Sequence, residues 1–195
     1  MNTEILIALV TFCFVSSITP GPNNLLLLSS GLNFGLKRSL NHLFGVTFGF
    51  AMMVLLVGIG IGKLFNLFPI SYEILKWVSI IYLSYLAYKI ANNHVVKCDS
   101  ANPQPFTFLQ AVIFQWVNPK AWTMAISVNA IYANEQTLSA VLFVTFVFLL
   151  VNFPAIFCWL VLGKQMKRFI ESPLKVKLFN WIMAALLVCS IVPML

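Results

Sequence analysis

The sequence predicts an all-α integral membrane protein, a single domain over residues 1–195 with six transmembrane helices. Three observations predict it. The chain is 61% hydrophobic and holds only five acidic residues, too few to coat a water-soluble globule of this size. Six apolar segments reach the roughly 20 residues that a helix needs to cross a bilayer. They span roughly 5–30, 42–62, 71–91, 107–128, 138–162 and 175–194. The links between them are short, and the mean hydropathy is +0.93.

The first segment carries Thr19-Pro20-Gly21-Pro22-Asn23-Asn24 at its middle. Two prolines remove two backbone donors and the glycine between them loosens the dihedrals, so the helix should break there. In hydrocarbon an unmade backbone hydrogen bond costs several kcal/mol, so such a break needs shelter in protein or a polar cavity. Residues 1–4 hold no Lys or Arg and no cleavage site follows, so this segment is expected to be retained. The second segment has Gly45 with Gly49, and Gly58 with Gly62, at the spacing of close helix packing. His42, at its cytoplasmic entry, is a candidate proton relay.

The third segment opens with Glu73 and Lys76, spaced for a same-face ion pair near the outer surface, and Glu73 is a candidate gate. Its Tyr82, Tyr85 and Tyr88 share one face, which suits packing or an interfacial belt. The fourth segment is interrupted at Asn118-Pro119-Lys120, where asparagine suits an N-cap and proline the first helical position. The fifth has Asn152 two residues before Pro154, a third expected interruption. The sixth follows a basic cluster.

Lys and Arg flanking the segments set the orientation. Lys37 and Arg38, then Lys89 and Lys97, then Lys164, Lys167, Arg168, Lys175 and Lys177 lie in links one, three and five; only Lys63 lies on the other side. Links one, three and five are therefore expected in the cytoplasm and both termini outside. The net charge of +7 is largely this bias. The basic cluster from Lys164 to Lys177 suits anionic lipid headgroups at the cytoplasmic face rather than nucleic acid, because no basic stripe interleaved with aromatics is present.

Three segments on either side of link three make two halves that run in opposite directions. This is the 3+3 inverted-repeat arrangement with Pro-broken helices 1 and 4, and its substrate sites lie where the broken helices meet. Pro20 lies ten residues from Ser30, Asn118 eleven from Thr107 and Asn152 ten from Leu162. At helical rise each is about 15 Å from the inner end, close to the midplane.

Helices that restart at Pro22 and Pro119 would aim free N–H groups and positive dipole ends at the centre, which suits a carboxylate. Lys120 adds a full positive charge. Glu4, Glu73, Asp99, Glu135 and Glu171 all fall at segment ends or in links, so a purely cationic solute would find no counter-charge. The inventory fits a small neutral amino acid. Pro20, Gly21, Pro22, Asn23, Asn24, Asn118, Pro119, Lys120 and Asn152 are the candidate substrate contacts.

Thr19-Pro20-Gly21-Pro22-Asn23 in the first helix, with Asn118-Pro119-Lys120 in the fourth, resembles the lysine-exporter (LysE/RhtB) family of bacterial amino-acid efflux proteins. The Asn-Asn form after Pro22, with the segment Trp77 to Ile90, resembles the cysteine and O-acetylserine exporters within it. The resemblance covers the whole chain and implies export of amino acids or derivatives across the cell inner membrane by antiport against protons. Many members carry an aspartate where this chain has Asn23, so a candidate proton carrier is missing.

The runner-up is a membrane thiol-redox conduit using the helix-embedded Cys13 and Cys158. Cys13, Cys98, Cys158 and Cys189 show no C-x-x-C spacing, and neither Cys13 nor Cys158 lies beside a break or a basic residue. No enzyme chemistry, cofactor, metal or ATP site is expected. The expected partners are the substrate, protons and anionic lipids, and a homodimer is compatible with the reading.

Overall fold

The computed structural model describes residues 2–63, 67–68, 70–92, 104–133, 137–170 and 172–191. The expectations for Lys97, Cys98, Asp99, Glu135 and Glu171 fall outside these. The described residues form seven α-helices and one 3-10 turn: α1 (Thr3–Ile18), α2 (Pro22–Gly58), the turn Ile61–Lys63, α3 (Ile70–Ala91), α4 (Phe108–Trp116), α5 (Pro119–Tyr132), α6 (Leu138–Met166) and α7 (Pro173–Cys189). Three are long and apolar enough to cross a membrane, namely α2, α3 and α6; α1 is a shorter apolar helix.

Gly35 divides α2. Its φ of 75° and ψ of 177° interrupt the helical dihedrals, in a region that L side chains rarely adopt. Ser30 and His42 would lie about 18 Å apart on a straight helix, yet Ser30 Oγ and His42 Nδ1 are 2.9 Å apart. The chain therefore folds back at Gly35, and α2 is a helical hairpin with limbs 22–34 and 36–58. The expected link over 31–41 shrinks to one non-helical residue. The first limb runs four residues beyond Ser30, about 6 Å further than expected.

Glycines set how closely the helices approach. A methyl group at Gly45 would collide with the Phe108 carbonyl and Ala111, and one at Gly49 would collide with Val112, so the second limb lies directly on α4. Gly31 and Gly163 face each other's helix in the same way. A methyl at Gly31 would strike the Leu160 carbonyl, and one at Gly163 the Leu28 carbonyl. The first limb of α2 and the end of α6 thus touch backbone to backbone. Beside them Leu27, Leu43, Val46, Ala111, Ile156 and Leu160 form a closed apolar cluster. A second cluster joins α1, the second limb, α5 and α6 through Leu9, Phe50, Ala125 and Phe148. A third joins the first limb, α3, α4 and α7 through Leu83, Phe114, Phe179 and Leu187.

The outer surface is apolar. Ile7, Phe14, Ile81, Phe146, Leu150 and Leu178 are all exposed. Helices covered by such side chains suit a lipid solvent, in which every backbone polar group is satisfied within the chain.

Two expectations are corrected. Pro154 lies inside α6, which continues from Leu138 to Met166, so the fifth segment is not interrupted there. No ion pair joins Glu73 and Lys76. Glu73 is exposed in the first turn of α3 and Lys76 is half-buried.

Candidate functional site

The chain between α1 and α2 is extended at Thr19 (φ −63°, ψ 143°) and at Gly21 (φ −178°, ψ 175°), and Pro22 occupies the first helical turn. Every carbonyl at this broken end has a partner. Ser16 accepts from Thr19 Oγ1 at 3.0 Å, and Ser17 from Asn24 Nδ2 at 2.7 Å. Ile18 accepts from Trp159 Nε1 at 3.1 Å, and Thr19 from Asn24 Nδ2 at 2.8 Å. Lys120 Nζ donates to the Thr19 carbonyl at 2.7 Å, to Thr19 Oγ1 at 2.8 Å and to the Pro20 carbonyl at 3.3 Å. The Gly21 carbonyl receives Leu25 N–H.

The second interruption lies between α4 and α5. Trp122 Nε1 donates to the Trp116 carbonyl at 2.9 Å, and the Asn118 carbonyl receives the N–H groups of Ala121 and Trp122. Asn118 stands at the N-cap position with extended backbone, yet its side chain makes no capping bond. Its Oδ1 is buried without a partner. This differs from the expected cap.

The two interruptions interlock crosswise. Lys120, one residue after Pro119, reaches the end of α1. Asn23, one residue after Pro22, reaches the end of α4, where it exchanges two hydrogen bonds with Gln115 at 2.8 and 3.2 Å. Gln115 is fully buried and also donates to the Ala111 carbonyl at 2.8 Å. Sequence reasoning missed Gln115. Its signal was its place, four residues before Pro119 in an otherwise apolar stretch.

Between the interruptions lies a narrow chamber of about 20 Å³, lined by polar Ser16, Ser17, Asn23, Asn24, Asn118, Lys120 and Asn152, and by Gly21, Phe50, Ala121, Met124 and Ile156. A water needs roughly 10–15 Å³, so the chamber holds on the order of one. Ser17 Oγ, Asn118 Oδ1 and Asn152 Nδ2 are buried there with no partner. A buried polar group left unpaired costs about 1–3 kcal/mol. A second cavity of about 560 Å³ adjoins the first, lined among others by Pro20, Gly21, Pro22, Gly62, Tyr72, Lys76, Pro119, Lys120 and Trp122. Gly21 and Lys120 line both cavities.

All nine candidate contacts therefore line one cavity or the other. His42 and Glu73 line neither. His42 is fully buried rather than interfacial, bonded to Ser30 and stacked on Phe106 at 5.0 Å. Cys13 is buried and Cys158 and Cys189 are exposed; all three are free thiols that line neither cavity. Among the described residues no cluster of three or more His, Cys, Asp or Glu side chains could hold a metal ion.

A family model described as LysE type translocator matches residues 14–191. The chain belongs to that family, whose members are translocators rather than enzymes. It is similar to the cysteine/O-acetylserine efflux proteins of Salmonella typhimurium (strain LT2) and Escherichia coli (strain K12), each 30% identical over 86% of this chain and 87% of the relative. No solved structure matches it significantly.

Proposed function

We propose that the protein is a secondary active exporter of small neutral amino acids or their derivatives across the cytoplasmic membrane, by antiport against protons. Three buried, unpartnered polar atoms on Ser17, Asn118 and Asn152 around one chamber carry this reading. A chamber that leaves a donor and an acceptor unmet is built for a polar solute. The relatives named as cysteine/O-acetylserine efflux proteins support the substrate class.

In this reading α1 with the first limb of α2 is one interrupted span, and α4 with α5 is another. The second limb, α3, α6 and α7 complete six spans in a 3+3 inverted repeat. The crosswise contacts of Asn23 and Lys120 support the pairing of the halves. The N–H groups at the starts of α2 and α5 hold the substrate carboxylate, with Lys120 assisting. Asn23, Asn24 and Asn152 supply neutral contacts.

By the charge rule both termini face outward. The wide cavity, which reaches Gly62 and Tyr72, then opens outside. The Gly31–Gly163 contact seals the cytoplasmic side, giving an outward-open shape of an alternating-access cycle. Lys164, Lys167, Arg168, Lys175 and Lys177 are all exposed, as contact with anionic lipid requires.

Counterflow in proteoliposomes tests the reading, with a panel of labelled amino acids including cysteine and O-acetylserine, run with and without a pH gradient. Absence of counterflow for every member ends the exporter reading. Counterflow indifferent to the gradient removes proton coupling alone.

A further inference from the structure

The Lys120 ammonium is held by three oxygens that all come from the interrupted end of α1: the Thr19 carbonyl, Thr19 Oγ1 and the Pro20 carbonyl. A primary ammonium has three N–H donors and no acceptor, so three oxygens saturate it. The oxygens are set in advance. Thr19 Oγ1 donates its own proton to the Ser16 carbonyl, so it can only present a lone pair to the ammonium. Asn24 also donates to the Thr19 carbonyl, and Trp159 holds the neighbouring Ile18 carbonyl. The ammonium filling the nest belongs to a side chain at the boundary of the two cavities, because Lys120 lines both and Pro20 lines the wider one. A chamber of about 20 Å³ cannot admit an amino acid while Lys120 stays in place.

We propose that these three oxygens form a primary-ammonium subsite, occupied in this shape by Lys120 as a tethered stand-in for the ammonium of the transported solute. The identity of that solute rests on the exporter reading. On arrival the solute places its ammonium on the Thr19 and Pro20 oxygens, and the displaced Lys120 pairs with the solute's carboxylate. The oxygens keep one ammonium throughout, and neither charge is left unpaired during the exchange. Solutes with a quaternary or acylated nitrogen lack the three donors and are refused.

The test uses the purified full chain with Lys120→Ala, unfolded thermally in n-propylammonium chloride or tetramethylammonium chloride at matched ionic strength. Propylammonium should raise the variant's Tm by about 3–5 °C at roughly tenfold excess over half-saturation, while tetramethylammonium and the wild-type chain show no such shift. Adding Thr19→Val should remove at least half of the shift. No shift with propylammonium overturns the proposal, as does an equal shift with tetramethylammonium or in the wild type. If Lys120→Ala is not recovered folded, Lys120→Gln undergoes the same comparison. The assay reads binding rather than transport. A propylammonium shift without amino-acid counterflow would remove the exporter reading and leave the subsite standing, and the reverse result would do the opposite.

Discussion

Asn23 and Gln115 face each other as a closed pair of amides, each donating to the other, at 2.8 and 3.2 Å. Because Gln115 Nε2 also serves the Ala111 carbonyl, its orientation is fixed, and it fixes Asn23 in turn. Asn23 thus offers the chamber one donor and one acceptor, without charge. Single replacements by alanine and their combination should show a coupling of about 0.5–3 kcal/mol in unfolding measurements. Strict additivity would mean that the pair is not intact in the folded protein. Asn23→Asp should shift substrate choice or the pH dependence of counterflow, since it sets a carboxylate oxygen against Gln115 Oε1.

Lys120→Met keeps the length of the side chain and removes its charge. It should abolish counterflow while insertion and Tm stay close to wild type, because Asn24 still serves the Thr19 carbonyl and the Pro20 carbonyl is exposed at the wide cavity. Full counterflow in this variant would remove Lys120 from the transport site.

Gly21 makes room for the same lysine. A methyl at Gly21 would lie 2.7 Å from Lys120 Cδ and 3.2 Å from Nζ. Its φ of −178° is open to any residue, so Gly21→Ala brings steric displacement without backbone strain. Counterflow should fall by about 10²-fold, the scale of a misplacement near 1 Å, with little loss of stability. Unchanged counterflow would show that the position of Lys120 against Gly21 does not matter.

Gly163→Ala drives a methyl into the Leu28 carbonyl, where two backbones meet and neither side chain can yield. The variant should lose about 1–3 kcal/mol or more, read as a lower Tm. Gly31→Ala strains the same contact, so the double variant should lose less than the sum of the two single losses.

His42→Ala opens a void beneath Phe106 and leaves Ser30 Oγ without its partner. Stability should fall by about 1–3 kcal/mol, while counterflow per folded molecule stays near wild type. A loss of counterflow without a loss of stability would identify His42 as a proton relay.

The helices themselves were legible in the sequence because apolar length and proline act locally. Pro22 and Pro119 open helices where their missing donors are not needed. Pro154 carries the same local signal and yet lies inside α6, since tertiary packing holds that helix together around it. The polar stretch with Lys37 and Arg38 marked a link here, but not that a positive φ at Gly35 alone is enough to fold the chain back. At the site, the polar side chains near the two interruptions could be read from sequence. Gln115 and Thr19 could not, because their roles arise from contacts spanning 92 and 101 positions along the chain. His42 was misplaced for the same reason. Its neighbour Ser30 comes close only through the fold-back.

The inequality between the wide mouth and the narrow chamber has a pharmacological consequence. A rigid molecule of drug size could wedge among Tyr72, Leu75, Trp122 and Ile126 without dislodging Lys120. Such a blocker would work only from the side of the membrane that this mouth faces. Applied from the opposite side, against the Gly31–Gly163 seam, it would find no foothold.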